Sequence, residues 1–184
     1  MPLLTAEQAN TFYKSLVINC LNNTSSLRDI DIALYVHPDI SHPFIKKLCL
    51  DYPVTLHQQQ GKNLGERMHH ALDQSLKKYK HSILIGTDCP QLDATYINEA
   101  FNSLQQHDIV IGPAEDGGYV LIGARKIESG LFSNISWSTE FVLQQSLKNI
   151  ESSRYSSRLL NALGDIDTPD DYLQYQLHQK TISN

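Results

Sequence analysis

The sequence predicts an α/β domain, and three observations predict it. Two short apolar runs, Ser82-Ile83-Leu84-Ile85 and Ile109-Val110-Ile111, each end in a glycine that opens an acidic loop. Between them, Asp93 to Gln106 has the spacing of a helix. Strand, helix and strand within about thirty residues make a parallel crossover unit. Strands and helices also alternate along the rest of the chain, the pattern of a three-layer α/β/α fold around a mostly parallel sheet. Both strands of the crossover then end on one sheet edge, where open α/β sheets bind ligands. Asp88, Glu115 and Asp116 are expected to converge there.

Composition sets the bounds. A chain of 184 residues suits one domain, 1–184, with a core that needs no staples. Hydrophobic residues at 41% and charged residues at 19% indicate a globular protein. Net charge is −5 and no basic stripe occurs, so nucleic acid is not expected as a partner. Cys20, Cys49 and Cys89 are far apart, which argues against a disulfide framework or a zinc site and for a reducing cytoplasm. No basic-then-apolar leader and no run of about 18 apolar residues occurs, so neither secretion nor a membrane span is expected.

The elements follow in order. Thr5-Ala6-Glu7-Gln8 is a capping box that opens a helix to near Asn22-Asn23. Ala6, Ala9, Phe12, Tyr13, Leu16, Val17 and Cys20 give that helix one buried face. Asp31 to Val36 reads as a buried strand, broken by His37-Pro38-Asp39. Ser41 is expected to cap a short helix through Leu50, and Pro53 to Gln58 to form the next strand. Asn63-Leu64-Gly65-Glu66 starts a helix to about Lys80. After the crossover unit, Gly118 to Arg125 reads as an antiparallel strand, because the connection from Pro113 is too short for a helical crossover. Ser136 or Ser138 is expected to cap a helix through about Ile150. Leu159 to Leu163 reads as a short strand. Thr168-Pro169-Asp170-Asp171 then starts a last helix to about His178.

The acidic loops suggest chemistry. Asp88 follows a strand and precedes Pro90, which fixes a turn and leaves the carboxylate at the cleft. One carboxylate holds Mg2+ or Mn2+ weakly, whereas two with substrate phosphates hold it well. The second would come from Asp165 or Asp167. The plainer reading of all three acids is turn or cap chemistry, since helix starts collect acids. In Glu115-Asp116-Gly117-Gly118-Tyr119 the glycine pair permits close backbone approach. The two acids would bind sugar hydroxyls, accept a proton or join a metal shell; a solvated hairpin turn is the alternative. Tyr119 either stacks on a ring or packs under the loop.

Other candidates are less specific. Gln60-Gly61-Lys62-Asn63 enters a helix N-terminus, which offers free N–H groups to anions. Arg67 would reach a phosphate or an acid of the cleft, or simply lie on the helix surface. Trp137, the only tryptophan, would wall the acceptor side or pack in the core. The eight histidines lack metal spacing, and the adjacent pair His69-His70 is assigned a structural or surface role. Cys89 has no indicated His or Asn partner, which argues against a nucleophile.

Five motifs occur together, in order. They are Gln60-Gly61 with Leu64-Gly65-Glu66-Arg67-Met68; Gly86-Thr87-Asp88-Cys89-Pro90; Gly112-Pro113-Ala114-Glu115-Asp116-Gly117-Gly118-Tyr119; Ile135-Ser136-Trp137-Ser138-Thr139; and Asp165-Ile166-Asp167-Thr168-Pro169. Together they resemble the glycosyltransferase-A-like DUF2064 family, also described as radical-SAM/selenodomain-associated transferase 1 or arsenosugar-biosynthesis glycosyltransferase. The resemblance covers nearly the whole chain. It implies a nucleotide-diphospho-sugar transferase (GT-A) fold and a nucleotide-activated donor, a small-molecule acceptor and Mg2+ or Mn2+. By the same resemblance Asp88 and Asp167 are the metal ligands, and Glu115 and Asp116 act in catalysis. Gln60, Gly61, Arg67, Thr87, Gly117, Gly118, Tyr119 and Trp137 are the expected substrate contacts. The wider superfamily also contains nucleotidyltransferases, such as the lactate-phosphate and molybdenum-cofactor guanylyltransferases, so nucleotidyl transfer is the second expectation.

One departure counts against catalysis. Members of that family begin with a strand and a Gly/Lys/Arg-rich loop that binds nucleotide, and this sequence starts where their first helix does. An N-terminally truncated variant of the fold is therefore expected, and a non-catalytic remnant is the third reading. Ile32 to Val36 and Ile83 to Ile85 would flank the absent strand. They must pair directly or leave an open sheet that invites self-association.

Overall fold

The structure is a computed structural model that describes residues 4–182, with side chains to residue 177. It is α/β, as expected, but its strands form two sheets. Helix α1 (Ala6–Ser25) leads into strand β1 (Ile32–Val36), helix α2 (Pro43–Asp51) and strand β2 (Val54–Gln58). β1 and β2 pair in parallel as one sheet. Helix α3 (Leu64–Leu76) leads to β3 (Ser82–Ile85), α4 (Ala94–Ser103), β4 (Ile109–Pro113) and β5 (Tyr119–Ala124). A 3-10 turn at Ser129–Phe132, helix α5 (Val142–Ser152), β6 (Ser157–Leu159) and α6 (Pro169–Ile182) follow. The second sheet has the order β3-β5-β4-β6. β5 is antiparallel to both β3 and β4, and β6 is parallel to β4. β3, β4 and β6 therefore run the same way, with β5 slotted between β3 and β4. The crossover unit is present, and the mixed character of the sheet comes from the short return into β5.

Side chains alternate across the second sheet, as strand geometry requires. Val110 and Leu121 face α4, packing with Ile97, Ala100 and Leu104. Ile109, Ile111 and Ile122 face the other side, against Leu72 of α3, Phe132 and Ile150 of α5. The smaller sheet has its own cluster, in which Val17 and Leu21 of α1 and Leu48 of α2 cover Ile32, Leu34 and Val54. α1 joins the two sheets. Its Asn19 and Asn23 amides donate to the Pro90 and Leu92 carbonyls beyond β3. Among the described residues no helix is long and apolar enough to cross a membrane.

Helix starts follow local chemistry. The Thr5 box is complete: Gln8 N–H donates to Thr5 Oγ1 at 3.2 Å, and Thr5 N–H to Gln8 Oε1 at 2.8 Å. Thr168 caps α6 with Asp171, as read from sequence. Ser41 does not cap α2. Its N–H and hydroxyl are held by Asp39, and His42 Nδ1 accepts from Phe44 N–H instead. Pro43 fixes that start, because its φ suits the first helical position. Neither Ser136 nor Ser138 caps α5; the Leu143 N–H donates to the Gly117 carbonyl at 2.9 Å. α3 stops at Leu76, short of Lys80, because the N–H groups of both Lys78 and Tyr79 turn onto the Ser75 carbonyl. The last strand starts two residues earlier than expected and ends four earlier, at Leu159; beyond it the Leu160 N–H still donates to the Ile111 carbonyl.

One buried charge anchors the lower sheet edge. Asp108 is 5% exposed and takes hydrogen bonds from Ser156 N–H, the Ser156 hydroxyl and Arg125 Nε, with Lys126 Nζ at 3.3 Å. Burial is the largest influence and opposes its charge, but these donors outweigh it together. The carboxyl stays well below the usual carboxylate range. A depressed folded pKa adds stability above the unfolded value of about 4 and loses it as pH falls through the folded value. Asp108→Ala is therefore expected to cost about 2 kcal/mol at pH 7, the loss of hydrogen bonds to a charged group whose donors, on Ser156, Arg125 and Lys126, belong to exposed residues and can turn to water. In urea unfolding the gap to the native protein should narrow at strongly acid pH.

Candidate active site

Three loops leave the carboxyl ends of β3, β4 and β6. The first carries Thr87 and Asp88, the second Glu115 to Gly118, and the third, beyond β6, Asp165 and Asp167. Backbone hydrogen bonds hold them together. Leu163 N–H donates to Pro113 O at 3.0 Å and Glu115 N–H to Leu163 O at 3.2 Å. Ile166 N–H donates to Asp88 O at 3.0 Å. A stretch without regular structure is thus laid along the end of the sheet, and the acids meet there.

Asp116, Asp165 and Asp167 each bring one carboxylate oxygen within 4.8 Å of the others. An ion with oxygen bonds of about 2.0–2.6 Å spans such a set. The electrostatics agree with a cation site. Burial, then the Asp116 charge, and then Asp167 and Asp88 push the Asp165 carboxyl up to about 6. Asp167 is raised by burial first, then by Asp88, Asp116 and Asp171. Crowded carboxylates that resist ionisation are what a divalent cation relieves. These residues fit Mg2+ or Mn2+: they are hard oxygen donors, one from the loop after β4 and two from the loop beyond β6.

The sequence assigned the cation to Asp88 and Asp167. Asp167 stands in the cluster. Asp88 lies outside the group of three, although its charge acts on both Asp165 and Asp167. Its carboxylate folds over Gly86, where a Cβ would sit 2.5 Å from Oδ1. Asp116, grouped with Glu115 as a catalytic acid, is itself in the cluster; its Oδ1 also accepts the Gly118 N–H at 2.8 Å. Glu115 is exposed beside Gly164. Gly117 has φ +93°, and a Cβ there would meet the Glu140 carbonyl at 2.3 Å, so only glycine fits.

The expected substrate contacts fall into several places. Gln60, Gly61 and Trp137 line one cavity of about 590 Å3 between the start of α3, the 3-10 turn and the Ile135–Trp137 segment. Glu66, His69 and His70 line it too; the histidines were set aside in the sequence because they lack metal spacing. Arg67 is not in the lining, and its Nε donates to Gly61 O at 3.2 Å, holding the loop before α3. Thr87 Oγ1 lies 3.4 Å from the Tyr13 hydroxyl at the acid loop. Gly118 donates its N–H to Asp116 within that same loop. Tyr119 packs against the buried cluster that contains Ile109, Ile111 and Ile122, and burial pushes its hydroxyl pKa up. Cys89 is buried, and burial pushes its thiol up to about 11, which leaves it unreactive.

With this geometry in hand, comparisons add a lineage. A family profile described as "Uncharacterized protein conserved in bacteria (DUF2064)" matches residues 20–139. No curated protein matches the chain. A solved protein of Desulfovibrio desulfuricans G20, provisionally assigned as a nucleotide-diphospho-sugar transferase, is similar at 31% identity and TM-score 0.79. The match covers 87% of this chain and 71% of that one. The 4-diphosphocytidyl-2C-methyl-D-erythritol synthase of Anaerococcus prevotii DSM 20548 shares the fold at TM-score 0.60 and 12% identity, over 91% of this chain and 86% of that one. Rv0371c of Mycobacterium tuberculosis H37Rv, solved with manganese, superposes at TM-score 0.52 and 15% identity, over 94% of this chain and 88% of that one. The fold is that of the nucleotide-diphospho-sugar transferases and cytidylyltransferases.

Proposed function

The chain belongs to the DUF2064 family, and from that premise we propose that it is a metal-dependent transferase moving a glycosyl group from a nucleotide-activated donor to a small-molecule acceptor. The observation that carries this reading is the convergence of Asp116, Asp165 and Asp167 at the carboxyl edge of the sheet, with Asp88 beside them. The description of the D. desulfuricans relative supports a nucleotide-sugar donor.

Asp116, Asp165 and Asp167 would hold Mg2+ or Mn2+, which supplies Lewis-acid neutralisation of a diphosphate leaving group. Asp88 adds negative charge to that point and favours cation capture. Gly117 and Gly118 let the loop backbone approach the donor closely. Glu115, exposed on the same loop, orients an acceptor hydroxyl or takes its proton. Gln60, Gly61 and Trp137 contact substrate in the neighbouring cavity, and Arg67 holds the loop that carries Gly61. The free cysteines favour a cytoplasmic setting. We further propose that the open edges of β1 and β3 pair between copies.

Nucleotidyl transfer is the second reading, and the shared fold of the A. prevotii cytidylyltransferase-type synthase favours it. The reactions differ in product, because glycosyl transfer releases a nucleoside phosphate and nucleotidyl transfer releases pyrophosphate. The experiment is a thermal-shift screen of nucleotides and nucleotide sugars with and without Mn2+, followed by product analysis of the hits. Asp88→Asn is expected to abolish Mn2+-supported activity with little change in stability. An Asp88→Asn protein that unfolds, seen by circular dichroism, would reduce Asp88 to a turn residue. Failure of every nucleotide to shift the native protein would sink the transferase reading.

A further inference from the structure

The cavity beside the acid cluster has a definite chemistry. Trp137 lies against α3, where a Cβ on Gly65 would come within 2.7 Å of its ring, and Phe132 borders the same wall. The lining contains no lysine or arginine. Its one carboxylate, Glu66, is already engaged by the Lys62 N–H at 2.8 Å and the Asn63 amide at 3.0 Å. The Asn63 side chain in turn caps α3, so this helix start is not free to hold an anion. The remaining polar side chains are the amides of Gln60 and Asn134, the imidazoles of His69 and His70 and the hydroxyls of Ser129 and Ser133. Gln60, His69, His70 and Asn134 make no side-chain hydrogen bond to another described residue. Asn134 and Ser138, on either side of Trp137, have φ of 55° and 63°. Such left-handed positions at non-glycine residues collect around ligand clamps.

An aromatic wall bordered by amide, imidazole and hydroxyl groups, with no lysine or arginine, suits a ring with one apolar face and several hydroxyls. The cavity is also near the acids. Trp137 and Glu140 are three residues apart, so at most about 11 Å separates their Cα atoms. The Glu140 backbone in turn touches the loop of Asp116 at Gly117. We propose that this cavity binds the acceptor as an uncharged pyranoside, its apolar face on Trp137 and its hydroxyls on Gln60, His69 and His70. The role as acceptor rests on the transferase reading; binding of the ring does not.

Trp137 is the only tryptophan, so its emission reports the cavity directly. The experiment titrates the full chain with methyl pyranosides of glucose, galactose and mannose. Hexose 6-phosphates are the charged controls. Each titration is run alone and with Mn2+ plus the common nucleoside diphosphates. A neutral methyl pyranoside is expected to change Trp137 emission saturably. Gln60→Ala and His69→Ala, checked for an unchanged melting temperature, should each weaken it roughly five-fold, the loss of one hydrogen bond. Gln60 lies on an exposed loop, so that variant keeps the test valid if His69→Ala fails to fold. Silence from every methyl pyranoside under both conditions overturns the proposal, even where Mn2+ and nucleotide bind and the transferase reading stands. Tighter binding of the 6-phosphates, or equal binding by the variants, also overturns it. Pyranoside binding without any nucleotide response supports the cavity and sinks the transferase reading instead.

Discussion

Asp165→Asn is expected to raise the melting temperature of the metal-free protein at pH 7 and to abolish the stabilisation that Mn2+ gives the native chain. Asp165 is half-buried among Asp116, Asp167 and Asp88, and its folded pKa of about 6 lies above the unfolded carboxylate value. An acid shifted upwards binds its proton more tightly when folded. Between about pH 4 and pH 6 the metal-free fold therefore loses stability as pH rises, and above that window the full penalty applies. Replacing the carboxylate with an amide removes the penalty. The shift would allow almost 3 kcal/mol, but solvent screening at a partly exposed cluster leaves about 1 kcal/mol. That is a rise of about 2–4 °C for a chain of this size. Cation binding has the opposite pH sense, since a protonated Asp165 is a poor ligand, and affinity should fall below pH 6. In the native protein, Mn2+ at a hundred times its dissociation constant should add about 2.7 kcal/mol. Differential scanning fluorimetry at pH 5 and pH 7, with Mn2+ or with EDTA, reads both effects. A variant that melts lower than the native protein without metal, or that keeps the Mn2+ shift, would remove the cation from this cluster.

The acid cluster was legible in the sequence only in part. Each acid sits in a loop after a run that reads as a strand, so a common sheet edge was expected without coordinates. Which acids share one point did not follow. Asp116 meets Asp165 and Asp167 because Leu163 bridges Ala114 and continues the β6 direction past the end of the strand. Nothing in Leu159 to Leu163 announces a ladder that shifts from strand pairing to a single bridge. The caps show the same division. Thr5 and Thr168 act within three residues of themselves, and local chemistry predicted both. The start of α5 is satisfied by Gly117, which is remote in sequence, and the nearby serines pointed elsewhere. The histidine pair was missed for a different reason. Its neighbours in the cavity, Phe132 and Trp137, come from a segment some sixty residues away that packs on α3 through the small side of Gly65.

The native protein is expected to self-associate with rising concentration, and a charge on β1 should suppress it. β1 hydrogen-bonds β2 alone and β3 hydrogen-bonds β5 alone, so each offers one edge without a strand partner among the described residues. In β1, the carbonyls of Ile32 and Val36 turn towards the β2 side, where they accept from Thr55 Oγ1 and the Gln59 N–H. Alternation then turns the backbone groups of Ala33 and Tyr35 to the open edge. Of these, the Tyr35 carbonyl is already occupied by the Gln59 amide at 3.2 Å. The remaining groups form a template for a strand from another copy. Packing on α1 holds the two sheets as a unit but gives the edges no backbone partners. Side-chain burial is partial as well: Ile32, Leu34, Ile83 and Ile85 are only partly covered by their helices. A second copy that pairs there gains ladder hydrogen bonds and covers apolar surface together, so association should be strong enough to appear at micromolar protein. Ala33 is exposed, and Ala33→Lys places a charge on the edge without disturbing the α1 contacts of Ile32 and Leu34. Static light scattering and sedimentation velocity over a concentration series, on the native protein and on Ala33→Lys, give the answer. A native protein that stays monomeric throughout, or an Ala33→Lys protein that associates as strongly as the native one, would mean that the edges of β1 and β3 are closed in solution by something other than a second copy.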